Sequence, residues 1–190
     1  NTNFSTPAPY SLPYRALYSK NVDNLFFAGR NISMTHMAMS SIRVMATCGL
    51  LGEAVGKAVS IAVKHDCTPH DVYLSHLTSL QSLLLDEDCF LPSKSRKVSN
   101  VCQKAQLLGA NDLIRNGQDR WHKKYETNEN NGKVVLNKNS NVTYVFEKSK
   151  INDIHIVFDS DLNRNTIPGG IVEKTHPTRA NISLSAPIMH

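Results

Sequence analysis

The chain has 190 residues, 41% hydrophobic and 19% charged, with a formal net charge of +5. This is the composition of a folded globular protein of one large or two small domains, and it excludes a disordered or fibrous chain. The basic residues are scattered apart from Lys94-Ser-Arg-Lys97 and the run 120–124, with no interleaved aromatic platform, so nucleic acid is not an expected partner.

Residues 1–20 carry Pro7, Pro9 and Pro13 and are expected to be extended. Residues 22–29 read as a buried strand, because the apolar run Leu25-Phe26-Phe27-Ala28 stops at Gly29-Arg30. Residues 47–65 read as a long helix. Within it Gly49, Gly52 and Gly56 fall at i, i+3 and i+7 and so share one face. Each interior glycine costs ~1 kcal/mol relative to alanine. Such a stripe implies something large close by, either a cofactor or another stretch of backbone packed tightly. A strand ending in glycine, followed by a glycine-rich helix, lets a backbone approach a flat or phosphorylated cofactor. Glu53 and Lys57 would both lie mid-bilayer if this helix crossed a membrane, so no membrane span is expected.

Thr68-Pro69-His70-Asp71 is a helix start: Thr68 caps, Pro69 takes the first position and Asp71 completes a capping box. Tyr73, Leu77, Leu80 and Leu84 continue it as an apolar stripe to about Leu85, expected in the core, with His70 and His76 at the surface. Residues 86–99 are polar and charge-segregated and mark a boundary between 1–90 and 98–190. Beyond residue 98 the pattern changes to period two, with short strands expected at 133–136, 142–147, 154–158 and 182–184. The expected fold class is therefore α+β: a strand-plus-helix portion of an α/β domain followed by a small antiparallel β-sandwich.

Cys48, Cys67, Cys89 and Cys102 form no CxxC pair and allow three disulfide pairings. No histidine lies at a metal-ligand spacing. Asp159, Asp161 and Asn163 alternate like Ca²⁺-loop ligands but lack the loop glycine and distal glutamate, so no metal is expected.

Several linked motifs occur in order over residues 10–65. They are Tyr10-Ser-Leu-Pro-Tyr-Arg15, Val22-Asp-Asn-Leu25, Ala28-Gly-Arg30, Thr35-His36, Ser41-Ile-Arg-Val-Met45, Thr47-Cys48 and Gly52-Glu-Ala-Val-Gly56. Together they resemble the C-terminal end of an FAD-dependent oxidoreductase of the bacterial group often labelled xanthan-lyase-like. The resemblance implies that Gly29-Arg30 lies beside the ribityl–pyrophosphate part of FAD. It also implies that the turn Met45-Ala46-Thr47-Cys48 opens a helix facing the flavin ring. There the amides of Thr47, Cys48 and Gly49, at a helix end carrying about half a positive charge, would stabilise the reduced anionic flavin. His36 and Arg43 fall on the family's substrate side, as a proton-transfer group and a carboxylate-holding group. Local capping and salt-bridging roles remain the alternative for both. Ala46 replaces a usual proline, and Met37 a frequent acidic residue, which weakens any acid–base scheme.

No Gly-x-Gly-x-x-Gly follows a strand anywhere, and residue 1 is Asn. The chain is accordingly expected to be the C-terminal part of a longer protein, inactive alone, with FAD shared with an upstream FAD-binding region as its partner. The runs 110–121, 142–146 and 154–161 resemble a galactose-binding-like (discoidin-type) β-sandwich over residues 98–185. That implies a carbohydrate partner at loop residues such as Arg120, Trp121 and Asp161, unless Trp121 is core. A non-catalytic carbohydrate-binding or interaction module is the competing function.

Overall fold

The structure, a computed structural model, describes residues 10–118 and 134–157. By its contacts the chain divides into Asn1–His155 and Ile156–His190, and every element named below belongs to the first unit.

A single 3-10 turn, Tyr14–Leu17, opens the described chain. The segment that follows doubles back on it. Phe27 N–H donates to the Leu17 carbonyl at 2.8 Å, Ser19 N–H to Leu25 at 2.9 Å, and Ser33 N–H to Ala16 at 2.9 Å. The expected strand at 22–29 is not formed. Its pairing is one isolated antiparallel bridge, Tyr18 to Phe26, and Leu25 is exposed. A buried strand needs a ladder partner on each side, and among the described residues this segment has a partner on one side at one point. The Asp23-Asn24 turn starts the return.

Helix α1 spans His36–Ile42 and is capped by Thr35, whose hydroxyl accepts from Ala38 N–H at 3.3 Å. Helix α2, Met45–His65, is the longest element. Asp66 ends it in a left-handed conformation, φ 48°, with Asp66 N–H bonded to Val63 and Cys67 N–H to Ala62, a Schellman closure. The helix is long and apolar enough to cross a membrane by length and composition. One flank packs on the following helices through Leu51, Ala58, Ile61 and Ala62, and Lys57 pairs with both Glu53 and Glu87. The hydrogen bond to Glu87 raises the Lys57 pKa.

Helix α3, Pro69–Ser75, begins where expected. Thr68 accepts from Asp71 N–H, and the Asp71 carboxylate accepts from both the Thr68 amide and the Thr68 hydroxyl. The stripe then breaks at His76, so the second half is a separate helix α4, Leu77–Asp86. Of the expected stripe, Leu80 and Leu84 are buried while Tyr73 and Leu77 are half-buried against the same core, and Val72 and Leu85, outside the stripe, are buried as well. Tyr14 joins this core: its hydroxyl donates to the Pro69 carbonyl at 3.0 Å, and burial pushes its phenol pKa up. His70 is exposed, while His76 is half-buried and stacks on His65 with ring centroids 4.2 Å apart.

The capping box makes stability pH-dependent. Hydrogen bonds from Thr68 hold the Asp71 carboxyl below its ordinary pKa. A depressed carboxyl contributes stability above its unfolded pKa of about 4 and loses it as pH falls through the folded value. Asp71→Asn is therefore expected to melt below wild type at neutral pH and to converge with it as pH falls below the ordinary carboxyl range in a pH series of melting curves. Thr68→Ala is expected to cost ~1 kcal/mol at neutral pH. Parallel curves for Asp71→Asn and wild type would rule the box out as the pH-sensitive element.

Beyond the helices, α5 spans Asn100–Lys104, and β1, Gln106–Leu108, pairs antiparallel with β2, Thr143–Val145, in the register Leu107 opposite Tyr144. This is the one sheet among the described residues, and a β-sandwich is not seen there. Residues 134–136 and 154–157, the described parts of the expected strands 133–136 and 154–158, form no strand. Their apolar side chains, including Val135 and Ile154, are exposed, so they lack the buried face that period-two patterning requires. Expected strand 182–184 and the loop residues Arg120, Trp121 and Asp161 lie outside the described residues. The fold shown is α+β and helix-rich.

Candidate functional site

The residues singled out at Gly29-Arg30 and at 45–49 come together in space. Gly29–Asn31 forms a 3-10 turn that lies against α2. Gly29 has φ +83°, a conformation that favours glycine. A methyl group built on it would touch the Cys48 Cβ at 4.0 Å. The turn thus sits on the first turn of α2.

The N-terminus of α2 has no side-chain cap on Val44. The helical ladder starts with Cys48 N–H donating to the Val44 carbonyl at 3.0 Å. The amides left unpaired by helix geometry are therefore those of Met45, Ala46 and Thr47. This shifts the free donors by two residues from the expected trio, because Cys48 and Gly49 are already inside the ladder. Met45 is 92% exposed and Ala46 is exposed, so the helix end is open. Cys48 is half-buried, and its thiol points to the Ile42 carbonyl at 3.9 Å. No disulfide joins any of Cys48, Cys67, Cys89 and Cys102, so none of the three possible pairings forms.

Beside this helix end lies a cavity of about 300 Å³ lined by Arg30, His36, Met39, Ser40 and Arg43. Four of the five come from α1 and its C-cap at i, i+3, i+4 and i+7, which is one helical face. Ile42, 2% exposed, anchors the opposite face in the core and turns that stripe outward. Both expected catalytic residues, His36 and Arg43, therefore share one cavity with a residue expected at the cofactor, Arg30. Met39 and Ser40 are additions that the sequence reading lacked. Their signal was the 36/39/40/43 spacing, hidden because residues 31–44 read as an irregular polar stretch. The Ser40 hydroxyl donates to the His36 carbonyl at 3.2 Å.

The electrostatics are one-sided. Among the described residues, no carboxylate lines the cavity. Among the described residues, the side chains of Arg30 and Arg43 make no hydrogen bond or ion pair. The acids pair elsewhere: Glu53 and Glu87 with Lys57, Asp86 with Arg96, and Asp112 with Arg115. An arrangement of two unpartnered guanidiniums and three open amides suits an anionic, phosphate-bearing or carboxylate-bearing ligand. No group of three or more metal-ligating side chains occurs among the described residues.

The glycine face of α2 runs away from this end. Cβ atoms built at Gly49, Gly52 and Gly56 meet nothing within 4 Å. Tight packing of the stripe on a strand is thus not seen among the described residues.

The donor set fits FAD: a glycine-only turn against a helix start, open amides and a free arginine are what a pyrophosphate and an anionic ring accept. No curated protein and no solved structure matches the chain. Residues 1–84, which contain all of these elements, match the family described as FAD dependent oxidoreductase; this portion is an FAD oxidoreductase region, and FAD is its cofactor.

Proposed function

We propose that the chain is the C-terminal portion of an FAD-dependent oxidoreductase of the xanthan-lyase-like bacterial group, transferring hydride between an organic substrate and flavin. The observation that carries this reading is the contact of the Gly29–Asn31 turn with the start of α2, next to a cavity holding His36 and Arg43. When bound, FAD supplies the hydride acceptor. The chain's own residues do the rest. The open amides of Met45, Ala46 and Thr47 bind the cofactor's anionic parts beside Gly29; Cys48 and Gly49 shape the helix start. Arg43 orients substrate, and His36 moves a proton at the substrate oxygen or carbon. An upstream region with the dinucleotide fingerprint supplies the ADP half of the site, and residues 98–190 form a galactose-binding-like module appended to it. The β1–β2 antiparallel pair is the support for that module.

The test is a bound-flavin spectrum and a melting shift with added FAD, for this chain and for the protein that includes its upstream region. The longer protein is expected to carry flavin, and this chain alone to hold it at least tenfold more weakly. Absence of flavin from both would overturn the reading.

A further inference from the structure

We infer that the cavity between Arg30 and α1 is the substrate's anion site, and that the substrate is a small organic acid whose carboxylates are gripped by Arg30 and Arg43 together. This rests on the oxidoreductase reading and adds the substrate class to it. Three observations carry it. Two guanidiniums from different elements, the Gly29–Asn31 turn and the C-cap of α1, line one cavity, with no carboxylate from the described residues beside them. Neither has an ion-pair partner among the described residues, whereas Lys57, Arg96 and Arg115 each have one. Two like charges brought together without a counter-ion repel, and an anion bound between them removes that repulsion. A planar guanidinium takes a carboxylate in two parallel hydrogen bonds, so two of them suit a diacid better than a monoacid.

The size and the other lining groups favour substrate over cofactor. A cavity of about 300 Å³ is at the small end of ligand sites. It accommodates a short diacid whole. His36 and Ser40 project from the same face, so a bound acid lies beside a proton-transfer group, and Met39 gives its carbon chain an apolar contact. Phosphate oxygens of the cofactor share the same chemistry, and the experiment separates the two sources.

The experiment is a titration of the full 190-residue chain with succinate, followed by amide and arginine side-chain NMR shifts at low salt. Succinamide is the uncharged control and pyrophosphate the cofactor surrogate. Saturable succinate shifts at Arg30 and Arg43 are expected, without shifts from succinamide. Raising salt is expected to weaken binding, since the pair is exposed. Arg30→Gln and Arg43→Gln are each expected to weaken succinate at least tenfold, with unchanged helical circular dichroism. Arg43→Lys is expected to fall between, because it keeps charge and loses the fork. No saturable succinate binding would overturn the proposal. So would pyrophosphate displacing succinate at equal or lower concentration with the same arginine dependence, which would give the cavity to the cofactor. Succinate binding by a protein that never carries flavin would instead sink the oxidoreductase reading and leave the anion site standing.

Discussion

Val72→Asp is expected to unfold the helical body at room temperature, seen as loss of the 222 nm helical signal and of the cooperative melt. Val72 is 0% exposed, on α3, where that helix meets α2, α4 and the Tyr14–Leu17 turn. Its neighbours in the core are apolar: Ala58, Ile61, Leu80 and Leu84 among them. An aspartate there has no cation to pair with. An uncompensated buried charge costs about 3–5 kcal/mol, against a total stability of about 5–15 kcal/mol for a domain. Val72→Ala removes two methyl groups and leaves a small void. It is expected to cost about 2 kcal/mol and to lower the melting temperature by about 4–8 °C for a chain of this size. A Val72→Asp protein that melts within a few degrees of wild type would mean α3 is not seated in this core. The functional consequence is a matter of reach. The same core fixes α2, and α2 carries the helix end that faces Gly29.

How much of this could be read from the sequence differs by element, and the reason is the range of the forces involved. The Thr68-Pro69-Asp71 start is decided by bonds across three residues, and it forms as written. The leucine stripe of α4 follows from helical period alone: Leu80 and Leu84 are buried and Leu77 is half-buried against them. The break at His76 is not legible, because no glycine or proline marks it; it comes from how α3 and α4 pack on α2. Strand 22–29 failed for the opposite reason. Its apolar pattern is real, but a strand depends on partners far away in the chain, and one bridge to Tyr18 is what the described residues offer. The same limit applies to 134–136 and 154–157, where alternation without a covering face leaves exposed apolar side chains.

For the site, the two backbone segments singled out by motif order are neighbours: a Cβ built on Gly29 would lie 4.0 Å from the Cys48 Cβ. Motif order misplaced the free amides by two residues, because helix starts are set by cap geometry and Val44 gives no side-chain signal. It also treated Arg30 and Arg43 as serving separate ligands. Only the fold of α1 shows that 36, 39, 40 and 43 form one wall with Arg30 opposite.

Replacing Gly49, Gly52 and Gly56 together by alanine is expected to stabilise this chain. The three positions are exposed, and a Cβ at each meets nothing within 4 Å. Alanine removes backbone entropy from the unfolded state at ~1 kcal/mol per site. The triple variant should gain about 2–3 kcal/mol and melt about 5–10 °C higher. Gly109 is the control of opposite sign. It has φ +82°, and a Cβ there would overlap the Asn141 carbonyl across the β1–β2 pair, so Gly109→Ala should melt lower. A triple variant that melts at or below wild type would mean the glycine face is already covered. The gain forgone is a large fraction of a domain's stability, which argues that the bare face serves something this chain alone does not show. In the flavin-carrying protein the sign should therefore reverse. Gly49→Ala alone, at the start of α2, is expected to lower bound flavin per protein there while raising the melting temperature of this chain. The first effect is read by flavin absorbance on the longer protein and the second by calorimetry on this chain. A stabilised chain with undiminished flavin would place the cofactor away from the Gly49 side of the helix.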